Sequence, residues 1–112
     1  MSIMPVLKAN AYGHGLLQMA EIMNDAAVDL LVVDGYFEAH AIRHITKRRI
    51  LVLGYIAPSN VHLLDTKRCS LVVQDTVMLE ALGRLGRPIQ IHVELNTGMN
   101  RLGLSVAELP IF

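Results

Sequence analysis

The stretch IQIHVELN, residues 89–96, has two different faces if it forms a β-strand. Alternate positions are aliphatic on one face and polar on the other, the polar row being Gln90, His92, Glu94 and Asn96. In an open sheet covered by helices on both sides the polar row would be buried at a cost, whereas in a closed barrel it would point into the interior, near a polar site. An antiparallel edge strand with one wet face is the alternative that the pattern leaves open.

Strand and helix patterns alternate along the rest of the chain. Apolar runs typical of strands lie at residues 3–7, 30–33, 50–53, 71–73 and 89–95. Between them, apolar residues at helical spacing predict helices within residues 16–23, 37–45 and 77–82, with Asp75 before the last of these and Pro58 opening a shorter one. Ser105 and Glu108 have the spacing of a capping box, which predicts one more helix. This alternation predicts an α/β fold with a parallel sheet covered by helices.

The length of the chain limits how much of a barrel it can form. A parallel TIM-type (β/α)8 barrel takes about 250 residues, and residues 1–112 supply about four βα units and a fifth strand. We therefore expect one domain that is an incomplete barrel of this type, with a sheet that does not close alone.

Composition narrows the classes of partner. The chain is 53% hydrophobic and 18% charged, and its ten basic and ten acidic residues cancel. That balance favours neither nucleic acid nor an anionic membrane as a partner, and no apolar run reaches the roughly 20 residues of a membrane span. Cys69 is the only cysteine and is expected to be an inert core thiol, so a cytoplasmic location is predicted. The histidines lack a ligand partner at convincing spacing, so no metal site is expected.

The stretch KANAYGHG, residues 8–15, places a lysine directly after the first predicted strand. In barrels of parallel strands, reactive groups lie where strands end and loops begin. A partly desolvated lysine amine loses its proton more readily and can then form a Schiff base with an aldehyde cofactor such as pyridoxal phosphate. Gly13 and Gly15 allow a tight turn, and Tyr12 offers a ring and a hydroxyl. A solvated lysine is the structural alternative.

A second stretch, ELNTGMNRLG at residues 94–103, follows the two-faced strand with a turn and an arginine. The Arg101 guanidinium could bind a carboxylate through two parallel hydrogen bonds. Taken alone, this pattern also fits a surface arginine in an ordinary loop.

Together, VLKANAYGHG and HVELNTGMNRLG resemble the alanine racemase family over essentially the whole chain. The resemblance implies a pyridoxal-phosphate-dependent barrel that interconverts L-alanine and D-alanine for peptidoglycan, in a cytoplasmic homodimer. It identifies residues 1–112 as the amino-terminal part of that barrel, without the carboxyl-terminal β domain. The isolated chain is then expected to have little or no racemase activity.

The resemblance also implies roles for particular residues. Lys8 would hold the cofactor and act as a base on one face of the substrate Cα. Tyr12 would lie in the cofactor and substrate pocket, and Arg101 would sit beside the cofactor's phenolic oxygen and bind the substrate carboxylate. The second base, a tyrosine of a partner subunit in the family, is expected outside this chain, since neither Tyr36 nor Tyr55 matches it.

Glu94 departs from the family pattern. Many members carry a lysine there that takes up carbon dioxide to form a carbamate, and both species present an anion. Glu94 is therefore predicted to orient Arg101, although its shorter reach would require a bridging water or a shifted arginine. His92 is predicted to hydrogen-bond near the site or to be purely structural. The alternatives to racemisation are a pyridoxal-phosphate-binding barrel that does not racemise, and a non-catalytic remnant or interaction module.

Overall fold

The computed structural model describes residues 2–111, and its centre is a parallel sheet of four strands. The strands are β1 (Leu30–Val33), β2 (Arg49–Val52), β3 (Cys69–Val73) and β4 (Gln90–Val93). They follow one another in the order β1-β2-β3-β4, and each pairs in parallel with the next. The predicted parallel α/β sheet is confirmed. The antiparallel alternative for the last strand is wrong, because β4 lies parallel to β3.

The first predicted strand, residues 3–7, lies along the outer edge of β1 as an extended segment with a single bridge, from Val6 to Val32. The Leu7 amide donates to the Val32 carbonyl at 2.7 Å, and the Val32 amide donates to the Pro5 carbonyl at 2.9 Å. At the amino end of this segment, the Ile3 amide donates to the Asp29 carboxylate at 2.9 Å. The segment is therefore held beside β1 at both ends.

Four α-helical segments connect the strands: α1 (Lys8–Tyr12), α2 (Leu16–Ile22), α3 (Tyr36–Ile42) and α4 (Thr76–Gly83). A 3-10 helix spans Pro58–Leu63, where a short helix was expected, and another spans Val106–Ile111. The predicted start of α4 is confirmed, because the Asp75 carboxylate accepts from the Met78 amide at 2.7 Å. Sequence patterns did not predict α1, and α3 ends before residue 45.

The predicted capping box near the carboxyl end is formed in part. The amide and the hydroxyl of Ser105 both donate to one oxygen of Glu108, each at 2.7 Å. These hydrogen bonds hold the pKa of the Glu108 carboxyl below its ordinary value, with the hydroxyl contributing most. The helix that follows is 3-10 and not the α-helix that the box announces.

Buried apolar side chains cover both faces of β1, β2 and β3. Toward the helices, the largest cluster of buried side chains joins alternate strand residues, such as Leu31, Ile50 and Leu71, to residues of α2, α3 and α4. Val32, Leu51 and Val72 form a second cluster on the opposite face with no helix residue in it. That second face would be the interior of a closed barrel. The fold is therefore an incomplete TIM-type barrel, as predicted.

Cys69 opens β3 and is 3% exposed. Burial raises the pKa of its thiol to about 11, and the nearby Asp65 carboxylate acts in the same direction. A thiol that stays protonated and covered is unreactive. The predicted core position of Cys69 is confirmed, and its inertness stays a prediction. No helix within the described part of the chain is long and apolar enough to cross a membrane.

Candidate active site at the carboxyl ends of the strands

A cavity of about 260 Å³ lies at the carboxyl ends of the strands. Five of its lining residues are the first residues after the five extended segments, taken in chain order: Lys8, Asp34, Leu53, Gln74 and Glu94. Loops add Gly54, Tyr55, Arg101 and Leu102. The parallel arrangement brings these residues together because every strand ends at the same edge. Three of the predicted site residues, Lys8, Glu94 and Arg101, therefore share one cavity.

Lys8 begins a turn with an unusual backbone. In α1, Ala9, Asn10, Ala11 and Tyr12 all have φ between 52° and 55°. Such left-handed conformations cost L-residues other than glycine roughly 1–2 kcal/mol each. The turn ends at Gly13, with φ of 92°, and the Ala11 amide donates back to the Leu7 carbonyl at 2.7 Å. Strained backbone of this kind clusters at functional sites, so the turn makes Lys8 a candidate site residue.

Two contacts anchor this turn to the rest of the protein. The Asn10 side-chain oxygen accepts from the Leu16 amide at 2.8 Å, which joins the turn to the start of α2. The Ala9 amide donates to the Glu38 carboxylate at 2.9 Å, which joins it to α3. Ala11 is also buried, at 3% exposure. These contacts fix where the half-buried Lys8 side chain leaves the backbone.

The loop after β4 positions Arg101. The side-chain oxygen of Asn96 accepts hydrogen bonds from the amides of Gly98 and Asn100, each at 3.1 Å, and these two bonds close a tight turn. The chain then returns, so that Leu104 pairs in parallel with Leu95. The Leu104 amide also donates to the Glu94 carbonyl at 2.8 Å, so both ends of the loop that carries Arg101 are held close to Glu94.

Glu94 and Arg101 line the same cavity without a direct ion pair. The only salt bridge with a nitrogen to oxygen distance of 4 Å or less within residues 2–111 joins Arg84 to Glu80 on the helical side. The short reach of Glu94, anticipated from the sequence, is consistent with this geometry. Whether Glu94 orients Arg101 stays a prediction.

Gln74 contributes a buried acceptor that the sequence did not indicate. It is 7% exposed, and its amide nitrogen donates to the Leu53 carbonyl at 3.0 Å. That hydrogen bond fixes the orientation of the amide, because a carbonyl can accept only from the nitrogen. The remaining oxygen, Oε1, is buried and has no hydrogen-bond partner among the described residues. A buried acceptor at the wall of a cavity is suited to a donor on a ligand.

Two predicted site residues lie apart from this cavity. Tyr12 is 63% exposed and is not among the lining residues. His92 pairs in register with Val72 and so shares the inner face of the sheet, but it does not line the cavity either. Their proposed roles stay predictions. Asp34, Tyr55 and Gln74 also line the cavity. Sequence analysis assigned none of them to the site, because Asp34 and Gln74 follow ordinary apolar strands and Tyr55 lies in a loop.

A larger hollow of about 830 Å³ lies at the opposite edge, next to Arg49, Asp65, Lys67 and Arg87. Arg87 is already engaged there, since one of its nitrogens donates to the carbonyls of His62 and Leu64 at 2.7 and 3.0 Å. Parallel sheets bind ligands at the carboxyl ends of their strands. The smaller cavity is therefore the candidate active site. Within residues 2–111, no three His, Cys, Asp or Glu side chains are grouped to hold a metal ion.

Comparison with known proteins identifies the family. The family described as alanine racemase, N-terminal domain, matches residues 1–112. The alanine racemase of Vesicomyosocius okutanii is 39% identical over 107 residues, which cover 95% of this chain and 30% of that protein. The alanine racemase of Symbiobacterium thermophilum is 37% identical over 112 residues, covering 96% of this chain and 30% of that protein. The chain spans about a third or less of the length of the relatives it matches.

Solved structures show the same architecture. The alanine racemase of Oenococcus oeni has a TM-score of 0.84 at 31% identity, and the match covers 96% of this chain and 32% of that one. The alanine racemase of Corynebacterium glutamicum has a TM-score of 0.86 at 25% identity, with the same coverage. A histidine racemase from Leuconostoc mesenteroides has a TM-score of 0.76 at 30% identity, covering 91% of this chain and 29% of that one.

Proposed function

Because this chain belongs to the family of alanine racemase amino-terminal domains, we propose that its cavity forms the lysine side of a pyridoxal-phosphate site that interconverts L-alanine and D-alanine. The observation that carries the proposal is the convergence of Lys8, Glu94 and Arg101 on one cavity at the carboxyl edge. An amine, a carboxylate and a guanidinium in one partly enclosed space suit a substrate that carries both an amino group and a carboxylate.

The residues present fit one side of the cofactor. Lys8 offers an amine for its aldehyde, and Arg101 offers donors for its phenolic oxygen. The orphaned Gln74 oxygen offers a buried acceptor at the same wall. When bound, pyridoxal phosphate withdraws the electron pair left on Cα as the α-proton leaves. The protein supplies placement and proton transfer.

The chain's own groups account for half of the proton exchange. Racemisation removes the α-proton on one face of Cα and returns a proton on the other, so it needs a proton-carrying group on each face. We assign the Lys8 amine to one face, where its nitrogen takes up or returns the proton. Arg101 binds the substrate carboxylate and thereby fixes which face Lys8 meets.

Glu94 completes this part of the site by orienting Arg101 through a bridging water, since the two side chains share the cavity without a direct ion pair. Replacing Glu94 by Gln removes the charge and keeps the shape. We expect the Glu94→Gln substitution to weaken binding of the substrate carboxylate, and unchanged binding would show that Glu94 is only a polar residue of the interior.

The proposal extends to the setting of the whole protein: a cytoplasmic homodimer that supplies D-alanine for peptidoglycan. Its support is the naming of the relatives as alanine racemases. Histidine is the second amino acid to test as a substrate, because a histidine racemase shares this fold at 30% identity.

The experiment mixes the purified chain with pyridoxal phosphate, records the absorbance spectrum, reduces with borohydride and maps the label by mass. The amine condenses with the aldehyde with loss of water, and hydride then converts the C=N bond into a stable secondary amine. The chain has three lysines, Lys8, Lys47 and Lys67. We expect the label on Lys8, its loss in Lys8→Arg, and no change in Lys67→Arg. Label spread evenly over the three lysines would contradict the proposal.

A further inference from the structure

The carboxylate of Glu38 joins the ends of two neighbouring strand segments next to Lys8. One oxygen accepts from the Ala9 amide at 2.9 Å, and the other accepts from the Asp34 amide at 2.7 Å. Ala9 follows Lys8 directly, and Asp34 is the first residue after β1. Both Lys8 and Asp34 line the cavity. A single side chain from the first turn of α3 thus ties together two walls of the candidate site.

The tie matters because the turn that carries Lys8 does not hold its shape by local preference. Ala9, Ala11 and Tyr12 gain nothing from a left-handed backbone, and only Asn10 among the four tolerates it readily. The Ala9 amide opens the turn, so it has no hydrogen-bond acceptor within α1. Glu38 supplies that acceptor from another element. Loss of the tie would allow the turn to relax toward an ordinary backbone, and the Lys8 side chain would leave in another direction.

The two amides here use separate oxygens of Glu38, and only a carboxylate supplies an acceptor at both of those positions. An ionised carboxylate has two accepting oxygens and no proton to donate, whereas a side-chain amide has one accepting oxygen and an NH2 group. In a Glu38→Gln chain, one backbone N–H would therefore face the NH2 group, donor against donor. The identity of the residue, and not only its size, decides whether both strand ends are held.

We infer that Glu38 is a positioning residue for Lys8: it holds the left-handed turn in register with the end of β1 so that the amine points into the cavity. The role rests on the proposed function, since it concerns the delivery of that amine to the cofactor aldehyde. It assigns no contact of Glu38 with cofactor or substrate.

The chain contains a matched control at the other end of the same pair of segments. Asp29 accepts from the Ile3 amide at 2.9 Å and from the Ser2 hydroxyl, so it also ties the first segment to β1. It does so at the amino edge, away from the cavity. Asp29→Asn therefore removes a charge from the same pair of segments, at a tie in which one oxygen accepts both hydrogen bonds, and it should leave the Lys8 turn unchanged.

The test compares the unmodified chain with Glu38→Gln, Glu38→Asp and Asp29→Asn by two measurements. The first is amide hydrogen exchange at Ala9, read by NMR without cofactor. The second is the rate at which pyridoxal phosphate and borohydride label Lys8, relative to Lys67 in the same sample. Loss of one charge-assisted hydrogen bond should speed exchange at Ala9 and slow Lys8 labelling by about tenfold each in Glu38→Gln. The core amides of Val52 and Leu71 should stay within about twofold.

The remaining variants and outcomes separate the two proposals. Glu38→Asp keeps the charge on a side chain that is one methylene shorter. Its exchange rate at Ala9 and its rate of Lys8 labelling should lie between those of the unmodified chain and of Glu38→Gln. This variant also keeps the test possible if the Glu38→Gln chain does not fold. Unchanged exchange at Ala9 in both Glu38 variants overturns the inference. So does an equal loss of Lys8 labelling in Asp29→Asn, because the effect would then be general destabilisation. If the unmodified chain does not label Lys8, the proposed function fails, and exchange at Ala9 alone decides the role of Glu38.

Discussion

Three arginines at the amino edge of the sheet and two cations at the carboxyl edge are used in opposite ways. At the amino edge, Arg48, Arg68 and Arg87 stand at or near the starts of β2, β3 and β4, and one nitrogen of each donates to two main-chain carbonyls. At the carboxyl edge, Lys8 and Arg101 line a cavity, and neither side chain makes a hydrogen bond to another residue in the described range. A cationic side chain that already donates hydrogen bonds to main-chain carbonyls stabilises the fold. One without such partners is available to bind a ligand.

The comparison predicts different costs for two arginine substitutions. Arg68 donates to the carbonyls of Thr46 and Arg48 at 2.6 and 3.2 Å, so Arg68→Ala leaves two partly buried acceptors without a donor. We expect a loss of about 1.5–3 kcal/mol in the free energy of unfolding, the range for hydrogen bonds to charged groups. Arg101→Ala should change stability by less than about 0.5 kcal/mol, as at ordinary surface positions.

Urea unfolding of the two variants, followed by circular dichroism, measures both values under one condition. Equal losses would break the distinction between the two edges. A stable Arg101→Ala chain that no longer binds a carboxylate ligand would sharpen it, because the same substitution would then separate binding from folding.

The sequence predicted much of the carboxyl edge because its signals are local. Apolar runs mark the strands, and a polar or charged residue at the end of a strand must reach the common edge of a parallel sheet, so Lys8 and Glu94 could be placed in advance. The turn at Gly13 and Gly15 was expected as well, and both have positive φ.

The remainder depends on contacts between distant parts of the chain. Alanine and tyrosine favour right-handed or extended backbone, so the residue types at Ala9, Ala11 and Tyr12 do not predict a left-handed turn. The partner of that turn, Glu38, is 29 residues away from Ala9 and looks like any acidic residue of a helix. Gln74 follows a buried strand, and only the folded arrangement shows that its oxygen lacks a partner.

A pair of glycine substitutions tests how closely the carboxyl edge is packed. The Gly54 amide donates to the Asp34 carbonyl at 2.8 Å, and a Cβ at Gly54 would lie 2.4 Å from that same main-chain oxygen. Gly54→Ala should therefore cost about 1–3 kcal/mol, as overpacking does. Gly83 closes α4 with open space around it, so Gly83→Ala should stabilise the chain by up to about 1 kcal/mol.

Thermal and urea unfolding of the two variants should give shifts of opposite sign. Lys8 labelling should also fall in Gly54→Ala, because the clash pushes Asp34 and Gly54 apart at the wall of the cavity. A Gly54→Ala chain as stable as the parent would show that this edge can yield, and that the cavity is less fixed than the short distance implies.

The smallest effect concerns the tie at the amino end of the first segment and depends on pH. The hydrogen bonds from the Ser2 hydroxyl and then from the Ile3 amide hold the pKa of Asp29 below its ordinary value of 3.8. The native state therefore binds this proton less readily than the unfolded state does. The contribution of Asp29 to stability is complete above about pH 5 and is lost as pH falls through 3.8 and below.

Asp29→Asn should make the decline in the free energy of unfolding shallower between about pH 5 and pH 3. The control is Glu21→Gln, since the exposed Glu21 side chain makes no hydrogen bond in the part of the chain that the structure describes. An equally steep decline in Asp29→Asn would mean that main-chain hydrogen bonds to β1 alone hold the first segment. Of the two carboxylates that join this segment to its neighbours, only Glu38 would then contribute.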